Sequence, residues 1–167
     1  MKLNNLREGL FCITLTLVLV SYEQLSSAQR TPTGFQIRSQ TGACLDANTG
    51  QPNREVYMRP CDNGSNRNLK WDLVIQGTTI FLKTQTTGNC LDARAGREDG
   101  RVYLRPCGDF SNTSLKWYRT IPSHLITRTT NYCLDANGGI LGRPAYLRRC
   151  DGGLNINLKW AFRNPED

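Results

Sequence analysis

Three groups of polar residues in this chain combine a carboxylate, a phenol and a guanidinium at matching spacing. The first group is Asp46, Tyr57 and Arg59, and the pattern recurs as Asp92, Tyr103 and Arg105 and as Asp135, Tyr146 and Arg148. A carboxylate accepts hydrogen bonds from hydroxyl groups, a tyrosine ring offers an apolar face, and a guanidinium pairs with carboxylate or sulfate. Because one Asp recurs in the same context, reversible binding fits better than hydrolysis, whose acid and base need different environments. The only histidine, His124, accompanies no nucleophile in a known motif.

A threefold repeat positions these groups. Cys-Leu-Asp-Ala begins at Cys44 and recurs after 46 and then 43 residues, and Leu-Lys-Trp recurs at the same intervals, ending at Trp71, Trp117 and Trp160. A period in the forties indicates one domain assembled from three stacked copies. We therefore predict a single domain over 29–167, with repeats at approximately 33–76, 77–120 and 121–163, called units one, two and three below.

The cysteines follow the same repeat. Six of the seven lie beyond residue 28, and within each unit two of them are separated by 17 residues. One disulfide per unit is the economical pairing in an oxidising compartment: Cys44 with Cys61, Cys90 with Cys107, and Cys133 with Cys150. A metal site would need closely spaced ligand pairs such as Cys-x-x-Cys, which the sequence lacks. No metal or other cofactor is therefore predicted.

The segments between the cysteines are short and alternating, which predicts an all-β fold. Candidate strands in unit one are Phe35–Gln40, Cys44–Ala47, Val56–Cys61 and Lys70–Ile75, and Gly/Asn/Asp-rich turns separate the segments. Three such units suit a β-trefoil with approximate threefold symmetry, because closure removes exposed strand edges. Alternation along the strands places the Asp, Tyr and Arg of each unit in one neighbourhood beside its disulfide. The three Trp residues are predicted to lie in the core.

The first 28 residues have the features of an export signal. Lys2 and Arg7 precede an apolar run over 10–20, and small residues close the segment at 26–28. We expect a secreted, extracellular protein, and no other segment is apolar over the length needed to span a membrane. The net charge of +7 favours acidic glycans or anionic surfaces as partners. Nucleic acid suits the charge but not the compartment.

Cys-Leu-Asp, the strand Val-Tyr-Met-Arg-Pro-Cys and a Trp ten residues after the second Cys occur together, with small variations, in all three units. This combined spacing resembles that of the R-type lectins, the ricin B-chain-like β-trefoil family, over nearly the whole of 29–167. The resemblance implies a β-trefoil fold and carbohydrate binding. In the family, the Asp two residues after the first Cys receives hydrogen bonds from sugar hydroxyls, a role that would fall to Asp46, Asp92 and Asp135.

Other family positions match less well. The Asn that binds a sugar hydroxyl before the family's Gln-x-Trp corresponds to Asn68, Ser114 and Asn157, which makes unit two the weaker candidate. Leu replaces the Gln at 69, 115 and 158, and Arg59, Arg105 and Arg148 stand where the family has an aromatic that stacks on the sugar. Tyr57, Tyr103 and Tyr146 lie two residues earlier and are candidates for the stacking role.

Two interpretations of each Asp and Arg remain open. In the first, the two side chains pair with each other and leave no site for a ligand. In the second, the Asp orients the Arg so that the guanidinium faces a carboxylate or sulfate on an acidic sugar. The predicted function is a secreted lectin, not an enzyme, with up to three shallow sites and glycans, acidic ones included, as partners. The alternative is a protein-binding or inhibitory trefoil, or a cell-targeting subunit of a toxin or enzyme. Sequons at Asn63 and Asn112 are candidate glycosylation sites.

Overall fold

The computed structural model describes residues 33–94, 96–121 and 123–165, and the predicted signal peptide lies outside this range. These residues form twelve strands and five short 3-10 turns. The strands are β1 Phe35–Ser39, β2 Ala43–Asp46, β3 Tyr57–Pro60, β4 Lys70–Gln76, β5 Thr79–Thr84, β6 Asn89–Asp92, β7 Tyr103–Pro106, β8 Trp117–Arg119, β9 Leu125–Thr127, β10 Tyr132–Asp135, β11 Tyr146–Arg149 and β12 Trp160–Arg163. The 3-10 turns are Asn48–Gly50, Arg67–Leu69, Thr113–Leu115, Asn137–Gly139 and Ile156–Leu158. No helix among the described residues has the length and apolar character to span a membrane.

Six strands form a barrel and six form hairpins. Strand β1 pairs with β12 and β4, β4 with β5, β5 with β8, and β8 with β9. A bridge between His124 and Lys159 links the segments that precede β9 and β12. The hairpins β2–β3, β6–β7 and β10–β11 complete one unit each. This arrangement confirms the predicted all-β trefoil.

The three hairpins meet around a cycle of backbone hydrogen bonds. The N–H of Val56 donates to the carbonyl of Val102 at 3.2 Å, Val102 donates to Ala145 at 3.4 Å, and Ala145 donates back to Val56 at 2.9 Å. Each unit therefore donates to one neighbour and accepts from the other, which marks the approximate threefold axis. All three residues are fully buried, so this cycle satisfies backbone groups that water cannot reach.

The repeated Trp residues lie in the core, as predicted, and connect the two repeated motifs. Trp71, Trp117 and Trp160 are buried, and each indole N–H donates to the carbonyl of the Leu in the Cys-Leu-Asp motif of its own unit, at 3.0, 3.0 and 2.9 Å. A buried indole N–H normally finds a partner. The fixed interval between the motifs therefore has a structural cause within each unit.

A glycine from each unit packs against a threonine of the next. Gly139 has a φ of 67°, and a Cβ atom there would overlap the side chain of Thr41 in unit one. The equivalent contacts join Gly50 to Thr87 and Gly96 to Thr130. A side chain at any of these glycines would require the neighbouring threonine side chain to shift.

The three disulfides confirm the predicted pairing. The bonds Cys44–Cys61, Cys90–Cys107 and Cys133–Cys150 have S–S distances of 2.01, 2.04 and 2.00 Å. Each bond joins the start of a hairpin to its end, and no bond crosses between units.

Candidate functional site

Strand register places the predicted residues together in every hairpin. Asp46 lies directly opposite Tyr57 across β2–β3, and Cys44 lies opposite Arg59. The same pairs recur in β6–β7 and β10–β11. Directly opposed residues on one face have Cβ atoms about 5 Å apart. We refer to the Asp, Tyr and Arg of a unit, with the matching Asn or Ser of the 3-10 turn before its Trp, as its polar cluster.

One oxygen of each Asp is used to shape the chain. Asp46 accepts a hydrogen bond from the backbone N–H of Asn48 at 2.5 Å, and Asp92 and Asp135 accept the equivalent bonds from Arg94 and Asn137 at 2.7 and 2.6 Å. The donor residues have positive φ values of 45°, 35° and 51°. The Asp side chain thus stabilises a turn in the left-handed region, which Asn tolerates better than most residues.

The 3-10 turn before the Trp of each unit is fixed against the Asp strand by main-chain contacts. The carbonyls of Asn68, Ser114 and Asn157 accept 2.9 Å hydrogen bonds from the alanine that follows each Asp. Their side chains differ. Asn68 Oδ1 accepts from the Thr86 hydroxyl at 3.0 Å, whereas the buried Ser114 hydroxyl donates to Asn112 at 2.8 Å. Ser114 is therefore occupied within its own turn.

The polar cluster of unit one is the most open of the three. Asp46 is 6% exposed and, among the described residues, forms no ion pair, while Arg59 on the facing strand is exposed. Burial raises the pKa of Asp46, and the Asn48 N–H and the positive charge of Arg59 partly oppose that rise. The Tyr57 hydroxyl donates to Glu55 at 3.0 Å, and this bond raises the pKa of Tyr57. Glu55 also accepts from Arg101 of unit two.

In unit two the Asp and the Arg pair with each other. Arg105 Nε lies 2.7 Å from Asp92 Oδ2, and Asp92 is only 1% exposed. The Arg94 guanidinium lies 4.9 Å from the centre of the Tyr103 ring. A ligand approaching this cluster would therefore meet guanidinium groups before the carboxylate.

Unit three has a looser form of the same pair. Arg148 Nε lies 3.3 Å from Asp135 Oδ2, and Arg148 Nη2 donates to the Tyr146 hydroxyl at 2.6 Å. Asp135 is fully buried, and its Oδ2 has no hydrogen bond among the described residues. Burial raises the pKa of Asp135, although the Asn137 N–H and the Arg148 charge oppose this. The Asp–Arg pairing left open by the sequence thus occurs in units two and three and not in unit one.

One histidine and two cysteines lie close together, as in some metal sites, but the two cysteines are joined in a disulfide. Ligand atoms of His124, Cys133 and Cys150 lie within 4.8 Å of one another. The two sulfurs are joined to each other, so neither is a thiolate, which is the form that binds a metal. These residues do not fit a metal ion.

The described residues thus form a β-trefoil with one disulfide and one polar cluster in each unit. The model of the ricin-type beta-trefoil lectin domain family matches residues 23–117 and 79–167. The chain therefore belongs to this family, whose domain binds carbohydrate. No curated protein sequence matches it significantly.

Solved structures with the same fold are distant in sequence. The agglutinin from Abrus precatorius superposes with a TM-score of 0.69 at 18% identity, covering 84% of this chain and 51% of the agglutinin chain. The C-half of an earthworm R-type lectin, solved in complex with GalNAc, gives 0.62 at 19% identity, covering 79% and 98%. The Haemophilus ducreyi cytolethal distending toxin gives 0.63 at 14% identity, covering 78% and 83%.

Sequence reasoning missed the residues that support the polar clusters. The 3-10 turns before the Trp residues are capped by Asn66, Asn112 and Asn155, whose side chains accept from the backbone N–H two residues later at 3.0 Å. These asparagines recur after 46 and 43 residues, in the register of the Cys and Trp repeats, so the signal was present. Glu55 has no such signal, because units two and three hold Arg101 and Pro144 at its position.

Proposed function

We propose that this protein is a secreted carbohydrate-binding protein without catalytic activity, and that its mature form is the single domain 29–167. Membership of the ricin-type family supports carbohydrate binding. Three disulfides suit an oxidising, extracellular compartment, in agreement with the predicted signal peptide. The polar clusters are the proposed glycan sites.

Unit one is the proposed principal site, and the observation that carries this choice is the unpaired state of Asp46 among the described residues. Its carboxylate would accept hydrogen bonds from sugar hydroxyls, with the exposed Arg59 beside it. The half-buried Tyr57, held through its hydroxyl by Glu55, offers a ring for stacking. Asn68 completes the cluster from the 3-10 turn, where Thr86 orients its amide.

Units two and three are proposed as sites for acidic sugars. Their aspartates are buried beneath Arg105 and Arg148, so a ligand would meet a guanidinium already oriented by a carboxylate. Such a group suits a sugar carboxylate or sulfate. Individual shallow sites are weak, with a Kd of about 1 mM corresponding to roughly −4 kcal/mol. Binding of several glycans by one chain would then supply the useful affinity.

The test compares equivalent Asp→Asn substitutions in two units. A glycan array first identifies the strongest neutral glycan, and its affinity is then measured by calorimetry for the wild type, Asp46→Asn and Asp92→Asn. Asparagine retains an acceptor for the turn N–H and removes the charge, so Asp46→Asn should weaken binding about tenfold or more through loss of hydrogen bonds to a charged group. Asp92→Asn serves as the matched control and should stay within about twofold of the wild type.

Two outcomes would contradict the proposal. Equal affinities for the wild type and Asp46→Asn would place the sugar outside the unit-one cluster. A glycan array without any signal would favour the alternative, a trefoil that binds proteins or delivers a toxin or enzyme. Circular dichroism of each variant separates loss of binding from loss of fold.

A further inference from the structure

Two adjoining depressions lie along the β1–β12 strand pair, and no residue of the three polar clusters lines either of them. Their volumes are about 910 and 590 Å³, and both are lined by Arg38, Gly42 and Arg163. Lys159 and Ala161 line one of them, and Asp62 lines the other. We call the two together the β1–β12 groove. It lies where the first and third units meet, at the junction that closes the barrel.

Strand register arranges three cations along this groove. Arg38 lies opposite Ala161, and Gln36 lies opposite Arg163, so Arg38 and Arg163 are diagonal neighbours on the outer face. The ladder continues through the N–H of Gln40, which donates to the carbonyl of Lys159. Lys159 and Arg163 are four residues apart on one strand, which corresponds to about 13 Å, with Arg38 alongside the middle. The short side chain of Ala161 leaves the space between them open.

The groove has uncompensated positive charge. None of Arg38, Lys159 and Arg163 forms an ion pair among the described residues. The one acidic residue lining it, Asp62, already accepts hydrogen bonds from the Gln36 side chain, the Ser65 hydroxyl and two backbone N–H groups. Burial works against its ionisation, but these bonds outweigh that effect and lower the pKa of Asp62. Asp62 therefore stays ionised at the edge of the groove without forming an ion pair with the three cations, and one carboxylate against three cations leaves the described lining with excess positive charge.

Duplication accounts for Lys159, whose counterparts are Lys70 and Lys116, but not for the set of three cations, because Val74 and Thr120 stand at the positions equivalent to Arg163. At the position of Arg38 opposite Ala161, the β4–β5 pair has Lys83 opposite Asp72, which carry opposite charges. The β8–β9 pair has Ile126 opposite Tyr118 at that position. Three unpaired cations in a row are thus specific to the β1–β12 junction among the strand pairs of the barrel.

We propose that the β1–β12 groove binds a sulfated or uronic polysaccharide, at a site separate from the three polar clusters. Cations spaced along an open groove suit a ligand that carries negative charges at intervals along a chain. The lining favours a polysaccharide over single-stranded nucleic acid, which relies on aromatic side chains that stack on bases. Among the described residues that line the groove, the only aromatic one is Trp160, which is 1% exposed.

The experiment measures affinity for a heparin-derived hexasaccharide by surface plasmon resonance. The test variant combines Arg38→Gln, Lys159→Gln and Arg163→Gln. The control variant combines Lys83→Gln, Lys116→Gln and Arg97→Gln, which removes the same number of charges. Lys83 and Lys116 are the unit-two counterparts of Arg38 and Lys159. A variant that combines Arg105→Gln and Arg148→Gln, measured alongside, separates this groove from the clusters of units two and three, which are themselves proposed as sites for acidic sugars.

The test variant should lose about tenfold or more in affinity, as expected for three ion contacts, while the control variant stays within about threefold of the wild type. A loss in the Arg105→Gln, Arg148→Gln variant as large as that in the test variant would place the hexasaccharide in the polar clusters and overturn the proposal. The slope of log affinity against log salt concentration should fall by about 2 to 3 in the test variant, because fewer counterions are released. Binding of the neutral glycan in the unit-one cluster should be unchanged in the test variant, so this site and the proposed function succeed or fail separately. Equal losses in the test and control variants, no binding of the hexasaccharide by the wild type, or equal affinity for an oligonucleotide of the same charge would each overturn the proposal.

Discussion

The three aspartates have the same sequence context but different electrostatic surroundings. Asp92 forms a close ion pair with Arg105, Asp135 forms a longer one with Arg148, and Asp46 forms none among the described residues. Strand alternation predicted correctly that each Asp and Arg share a neighbourhood. It could not predict the pairing, because a long arginine side chain has several rotatable bonds and its conformation depends on neighbours that differ between units. In unit one such a neighbour is Glu55, which accepts a hydrogen bond from the Tyr57 hydroxyl.

Asp135 provides a test of how a buried carboxylate affects stability. Burial raises its pKa in the folded state above the ordinary value of 3.8. The folded protein therefore binds this proton more tightly than the unfolded chain does, and the free energy of unfolding falls as the pH rises from about 3.8 through the raised pKa. Asp135→Asn should remove that part of the pH dependence.

The effect is measured by urea unfolding of the wild type and of Asp135→Asn. The pH is varied from about 3.5 to about 7 in steps of about half a unit. The unfolding free energy of the variant minus that of the wild type should increase as the pH rises. A difference that does not change with pH would mean that Asp135 titrates equally in the folded and unfolded states.

The 3-10 turns and the strands were not equally predictable. In unit one the predicted strands agree with β1 to β4 within about a residue at most ends, because alternation and turn residues are local signals. The 3-10 turns were not predicted, since three residues carry no periodic pattern. Their asparagine caps were visible only as a further repeat in the register of Cys and Trp.

The contact between Gly139 and Thr41 predicts a substitution that loosens the junction between units three and one. Gly139→Ala places a Cβ atom against the Thr41 side chain at a φ of 67°, so it should cost more than strain in the left-handed region alone. Gly152 is the matched control, with a φ of 71° and no atom within 4 Å of a Cβ. We expect a loss of about 1 kcal/mol for Gly152→Ala and about 2 kcal/mol or more for Gly139→Ala.

Thermal and urea unfolding of both variants give the comparison. Equal losses would show that Thr41 moves aside without cost. The double variant Gly139→Ala with Thr41→Ala should recover part of the difference, because alanine lacks the hydroxyl oxygen, which is the Thr41 atom nearest to the new Cβ.

The disulfides and the closed barrel together determine how the whole molecule unfolds. Each disulfide closes a loop with a sequence separation of 17 residues. By the chain-entropy estimate each loop contributes about 3 kcal/mol. Replacing Cys90 and Cys107 with Ala should therefore lower the free energy of unfolding by about 3 kcal/mol, and replacing Cys133 and Cys150 should have a similar effect.

Both double variants should still unfold in one transition, because the backbone cycle at the threefold axis couples the units. Fluorescence of the three Trp residues and far-ultraviolet circular dichroism should give coincident curves. Two separated transitions, or losses that differ severalfold between the two variants, would contradict this account.

The hydrogen-bond cycle of Val56, Val102 and Ala145 has a direction and no first or last member. An open array of repeats tolerates the gain or loss of a copy at its ends. A ring with three members does not, because a fourth copy or a missing one leaves a buried donor and a buried acceptor without partners. The hydrogen-bond cycle therefore keeps the number of repeats at three, and divergence in this molecule occurs by substitutions within individual units. Glu55 in unit one and Arg163 in unit three are examples of such divergence, because the other units have different residue types at these positions.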